Sequence, residues 1–174
     1  MTHPTRRLWA GAALLLACSL PVRGADVPFL ESPDSVVEAM LDLAGVTAGD
    51  VVYDLGSGDG RIVIAAARDR EARGVGIELD PDLVELSERN AREAGVEDRV
   101  RFERGDLFEA DFSEATVVAL YLYPKVNARL RPLLARQLAP GARVVSHRYE
   151  IRGWHPVARI KVQGRPIFLY RVPD

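Results

Sequence analysis

The stretch VVYDLGSGDGRIVIAAAR, Val51 to Arg68, decides the fold. An apolar run from Asp50 to Leu55 gives way to three glycines in five positions, Gly56, Gly58 and Gly60, and a helical segment opens at Ile62. A run of that length bounded by glycine reads as a strand buried on both faces. A glycine-rich turn leading into a helix is how a parallel α/β sheet frames a ligand. Two nucleotide motifs are excluded. The dinucleotide fingerprint needs a glycine three residues after Gly58, where Arg61 stands, and the P-loop needs a Gly-Lys-Ser/Thr ending that is absent. What remains is Asp54-x-Gly56-x-Gly58-x-Gly60.

The flanking sequence repeats the strand-helix alternation. Upstream, Ser32-Pro33 reads as N-cap and first residue of a helix carrying Val36, Val37, Met40, Leu41 and Ala44, ended by Gly45. Downstream, Arg73 to Leu79 is a second strand. Asp80-Pro81 starts a helix whose apolar face is Leu83, Val84, Leu86, Ala91 and Ala94. Val100 to Glu103 and Ala115 to Leu122 are strands three and four. Pro124 to Leu138 is helical, with Pro132 expected to kink or split it, and Ala142 to Ser146 is strand five. Val157 to Val162 and Pro166 to Val172 stand only three residues apart, room for a hairpin and not for a crossover helix. The expectation is an α/β fold, a doubly wound, Rossmann-like seven-stranded sheet ending in an antiparallel hairpin. Its ligand belongs at the carboxyl ends of the strands.

At 174 residues, 48% hydrophobic and 28% charged, the chain has the size and composition of one globular domain. A formal net charge of −2 shows no basic footprint, and no nucleic-acid partner is expected. Residues 1–25 differ from the rest: Arg6 and Arg7 precede an apolar run from Leu8 to Leu20 with no acid, the pattern of a signal or an anchor. Thr5 to Trp9 resembles a twin-arginine signal and Leu15 to Cys18 a lipoprotein box, while Cys18, the only cysteine, also serves as a small apolar filler. The domain is therefore expected over residues 26–174, touching a membrane only through an uncleaved N-terminal segment.

Three strand ends in succession carry groups that suit an adenosyl ligand. The glycines let backbone approach closely. Glu78, at the end of strand two, can accept both hydroxyls of a ribose and disfavours a 2′-phosphate. Asp106, after strand three, can accept from an adenine amino group beside the Leu107 backbone. Asp54 holds the loop or faces a cationic group.

Asp54-Leu55-Gly56-Ser57-Gly58-Asp59-Gly60, Glu78 and Gly105-Asp106 resemble the class I, seven-β-strand methyltransferases that use S-adenosylmethionine. The segments VPFLESPDSVVEAMLDLAGVTAGDVVYDLGSGDGRIVIAAA, SEATVVALYLYPKVN and LAPGARVVSHRYEIRGWHP are similar to the small archaeal broad-specificity protein lysine methyltransferases. They are also similar to the mitochondrial lysine methyltransferases of the adenine nucleotide translocase and the ATP synthase c-subunit. The likeness runs from about Val27 to the C-terminus. It implies a cofactor site lined by Asp54, Gly56, Ser57, Gly58, Gly60, Glu78, Asp106 and Leu107, and a protein substrate presenting lysine.

Such a transfer is an in-line displacement with no metal ion, and the protein supplies orientation and charge. Lysine adds a cost, since removing its proton at pH 7 takes about 4–5 kcal/mol. Tyr121 and Tyr123, ending strand four, can wall the amine, and His147 and Glu150, after strand five, can assist deprotonation, with a structural role as the competing reading for the histidine. Asn127 reads as helix surface or loop bracing, Trp154 as packing, and Phe29 and Glu31 as a cover over the cofactor. Two other readings stay open: a small-molecule N- or O-methyltransferase, and a non-catalytic adenosyl-binding envelope protein. The signal-like segment points to export or membrane anchoring, whereas S-adenosylmethionine is made in the cytosol. Oligomeric state has no signature in the sequence.

Overall fold

The computed structural model describes residues 31–173; residues 1–25, Cys18 and Phe29 lie outside them. Seven strands form one sheet in the order β3-β2-β1-β4-β5-β7-β6. They are β1 (Val51–Leu55), β2 (Arg73–Glu78), β3 (Val100–Arg104), β4 (Val117–Leu120), β5 (Arg143–His147), β6 (Ala158–Val162) and β7 (Arg165–Arg171). The first five run parallel, and β7 inserts antiparallel between β5 and β6. Chain order reverses between β1 and β4, which opens the crevice where such sheets take their ligands.

Helices cover both faces, so β1 and β4 are buried at every residue. The helices α1 (Asp34–Ala44) and α2 (Arg61–Arg70) pack on Val52, Val117, Ala119 and Val145. On the other face α4 (Pro124–Gln137) sets Leu130 and Leu134 against Tyr53, Val118, Leu120 and Val144. The hairpin turn is Gln163-Gly164, with φ of 49° and 78°. Two consecutive positive values are the type I′ geometry that matches the twist of paired strands.

Three details depart from expectation. Pro33, not Ser32, caps α1: its carbonyl accepts from Val36 and Val37 at 2.8 and 3.0 Å, and Ser32 turns to another partner. Pro132 leaves α4 in one piece, because it lies on the exposed face beside exposed Ala128, whose carbonyl water can satisfy. On α3 (Pro81–Glu93) only Ser87 and Ala91 are fully buried, and Leu83, Val84 and Leu86 are half-exposed. Ser87 faces the glycine loop, where a β-carbon on Gly60 would stand 2.8 Å from it and 2.6 Å from the Phe102 ring.

At the edge away from the crevice, Asp50 ties four elements together. It accepts from Thr47 N–H at 2.8 Å and Thr116 Oγ1 at 2.7 Å and pairs with Arg143, whose guanidinium also reaches the carbonyls of Ala44 and Gly45. Burial pushes the Asp50 carboxyl up, but these partners outweigh it and hold the group below the ordinary carboxylate range.

Candidate active site

The glycine loop is shaped by its own hydrogen bonds. Gly56 and Ser57 both donate to the Ile77 carbonyl, at 2.8 and 3.0 Å, and Gly60 donates to the Ser57 carbonyl at 2.9 Å. Gly58 donates to Glu78 Oε2 at 2.9 Å, while Leu79 and Asp80 donate to Oε1 at 2.8 and 3.0 Å. Gly56, Gly58 and Gly60 all have positive φ, 83°, 55° and 81°. The amides that a phosphate-binding loop would present outward are therefore engaged within the protein.

Carboxylates take their place. Asp54 is 3% exposed at the end of β1, and among the described residues its side chain has no hydrogen-bond partner. Burial raises its pKa well above the usual carboxylate range, and the nearby charges of Glu78 and Asp59 raise it further. Asp59 is held by Arg61, 2.6 Å away, which also pairs with Glu31 at 3.1 Å and donates to the Ser32 carbonyl at 2.9 Å. Ser57 Oγ is buried without a partner among the described residues. Beside Glu78, Leu79 projects 52% exposed. The hollow thus combines negative charge, an apolar lip and an orphaned hydroxyl. It suits a cationic nucleoside and repels a phosphate.

Asp106 caps the turn that follows β3, its Oδ1 accepting from Phe108 N–H at 2.9 Å, and Leu107 packs against the core. Gly60 turns its α-carbon toward Phe102 and Ser87, so its smallness serves the seating of the loop on α3 and β3.

Across the crevice, Tyr121 and Tyr123 follow β4, both half-buried, with Leu122 between them in the core. The Tyr121 ring lies 4.0 Å from that of His147, and Tyr123 lies 5.7 Å from Tyr149. His147 is fully buried. Its Nδ1 meets Ser32 Oγ at 2.9 Å, and its Nε2 has no partner among the described residues. Burial, then the charges of Arg165 and Arg148, pushes its pKa down to about 4, so the ring is neutral at pH 7. Arg148 takes a left-handed φ of 71°, and the nearby Tyr121 hydroxyl, then Tyr149, hold its pKa above the ordinary range. Glu150 points elsewhere, paired with Arg159 on the hairpin.

Asn127 corrects the sequence reading. It is fully buried on the sheet-facing stripe of α4, in line with Leu130 and Leu134, and neither amide atom has a partner among the described residues. Its i, i+3, i+7 spacing with the two leucines was the available signal. The Ser32–His147 bond, spanning 115 residues, had none.

The ANTKMT methyltransferase domain model matches residues 54–158, from the first carboxylate of this hollow to the first residue of β6. The chain belongs to this family. It is 44% identical over 153 residues to a protein-lysine N-methyltransferase of Saccharolobus islandicus, covering 85% of this chain and 95% of that one. Identity to the adenine nucleotide translocase lysine N-methyltransferase of Mus musculus is 39% over 153 residues, spanning 88% of this chain and 66% of the mouse protein. Among solved structures, an RNA methyltransferase from Salinibacter ruber in complex with S-adenosyl-L-homocysteine superposes with a TM-score of 0.82 at 56% identity, covering 83% of this chain and 95% of that one.

Proposed function

We propose that this chain is an S-adenosylmethionine-dependent methyltransferase acting on lysine side chains of proteins. The observation that carries the reading is its 44% identity, along nearly the whole of both chains, to a protein-lysine N-methyltransferase. When bound, the cofactor supplies an electrophilic methyl group on a cationic sulfur. Glu78 would take the ribose hydroxyls, Asp106 and Leu107 the adenine edge, and Leu79 its face. Asp54 and the Gly56-Ser57-Gly58 backbone would receive the amino-acid part and the positive charge. Gly60 contributes by seating the loop.

In this reading Tyr121 and Tyr123 wall the incoming amine. Their rings favour a cation at the mouth, and their hydroxyls accept from it. His147 is a positioning residue. Buried, neutral and bonded to Ser32, it fixes the Tyr121 ring from behind. Proton loss from lysine then rests on desolvation and on the positive charge of nearby Arg148 and Arg165, both of which disfavour the ammonium.

A second reading, methyl transfer to RNA, is favoured by the 56% identity to the RNA methyltransferase from Salinibacter ruber. Incubating the protein with methyl-labelled cofactor and separate protein and RNA fractions tests both. Label on lysine in the protein fraction is expected; label confined to RNA would reverse the assignment. We further propose that residues 1–25 tether the domain on the side of the membrane where the cofactor is made. Mass spectrometry of the mature N-terminus should find the segment retained, and cleavage near Gly24 would refute the tether.

A further inference from the structure

The small net charge conceals a division. Residues 31–114 hold twenty-two Asp and Glu against nine Arg, whereas residues 115–173 hold eleven Lys and Arg against one acid, Glu150. The topology turns this division into geography. Within the sheet the acidic part builds β3, β2 and β1 and the basic part builds β4, β5, β7 and β6, so along the strands the change of sign falls at the crevice, while the acidic α1 lies across one face of β5, β7 and β6.

The basic side is concentrated on the working edge of the sheet. The carboxyl ends of parallel β4 and β5 lie at that edge, and so do the first turns of α4 and the turn joining β6 to β7. Lys125, Arg129, Arg148, Arg152, Lys161 and Arg165 therefore lie along the same edge as Tyr121 and Tyr123. All six are exposed, and none makes an ion pair among the described residues. Arg152 is fixed through its backbone, whose carbonyl accepts from Arg131 at 3.1 Å. A cationic rim around a pocket for a cationic side chain would repel an isolated lysine or a basic tail.

We propose that the rim is a docking surface for acidic protein segments, so that the substrate lysine is one flanked by Asp and Glu. This deepens the lysine reading above and rests on it. The chemistry is consistent at the reacting nitrogen as well. Acidic neighbours hold a lysine ammonium protonated in the unbound substrate. Pairing them with the rim neutralises those acids and leaves the amine beside Arg148 and Arg165, which favours its neutral, nucleophilic form. A segment of a few acids fits a patch bounded on one side by the acidic half of the molecule. A long polyanion would have to cross that repulsive half.

The test uses the full chain and three peptides of equal length, each with a single lysine set among acidic, uncharged or basic residues. The acidic peptide is expected to have the highest kcat/KM, at least tenfold above the basic one. The difference should lie mainly in KM and shrink at 0.5 M NaCl. The double variant Arg152→Glu, Lys161→Glu should reverse the order while binding S-adenosylmethionine within about twofold of wild type. Equal rates on all three peptides, or an unreversed order in a folded variant, would overturn the docking surface and leave the lysine reading standing. Label entering RNA and none of the peptides would overturn both.

Discussion

Asp54 is 3% exposed, and burial, then the charges of Glu78 and Asp59, raise its pKa well above the usual carboxylate range. Its folded pKa lies above its unfolded one, so the fold binds the proton more tightly than the open chain does. The penalty is therefore absent at low pH and grows as pH rises through the folded value. Asp54→Asn is expected to raise the melting temperature of the cofactor-free protein at pH 7.5, with a gain that fades toward pH 4. The same change should weaken S-adenosylmethionine binding tenfold or more, since a charged acceptor is lost. Thermal melts and calorimetric titration on one sample read both; a variant less stable than wild type at pH 7.5 would show that Asp54 is well compensated. His147 works in the opposite direction. Its folded pKa of about 4 lies below the ordinary value of 6.5, so its contribution is intact above pH 6.5 and lost as pH falls toward 4. That loss amounts to at most about 3 kcal/mol. Urea denaturation across this range should show the slope in wild type and a flatter one in His147→Gln.

Each end of the sheet has its own task, and substitutions should separate them. Asp50 joins α1, β1, β4 and β5 at the edge opposite the crevice, through Thr47, Thr116 and Arg143. Asp50→Ala strands a largely buried guanidinium and should cost about 3–5 kcal/mol of stability. Cofactor affinity, measured well below the melting point, should stay unchanged; a matching loss of affinity would mean the two edges are coupled. The strands and most helices were legible in the sequence because a strand buried on both faces is written as a continuous apolar run, and VVYDL and VVAL are such runs. That Glu78 and the glycine loop meet was legible because both follow the carboxyl ends of neighbouring parallel strands. The α3 face was misread because β3 lies at the sheet edge, where Leu83 and Leu86 find little to cover. The links of Arg61 to Glu31 and Ser32, and of Ser32 to His147, were missed because they join segments about thirty and more than one hundred residues apart, and local periodicity carries no trace of such pairings.

For the molecule as a whole, the acidic strands β3, β2 and β1 carry Asp54, Glu78 and the glycine loop and face the basic strands across the crevice. The substrate cofactor carries a sulfonium and an ammonium against one carboxylate, for a net charge of one positive unit. Its demethylated product has lost the sulfonium charge and is net neutral. A field set by Asp54, Asp59 and Glu78 therefore acts on the reactant and barely on the product, drawing in the first and easing release of the second. Screening should expose that difference, because the Debye length falls from about 10 Å at 0.1 M salt to a few Å at 0.5 M. Raising NaCl from 50 to 500 mM is expected to weaken S-adenosylmethionine binding roughly threefold or more while changing S-adenosylhomocysteine binding little. Titrations of both ligands at the two salt concentrations, repeated on Asp54→Asn, provide the check. The variant should weaken S-adenosylmethionine binding at both salt concentrations while keeping most of the salt dependence, because a buried charge is screened little, and an equal salt response of the two ligands in wild type would remove the acidic half from cofactor discrimination.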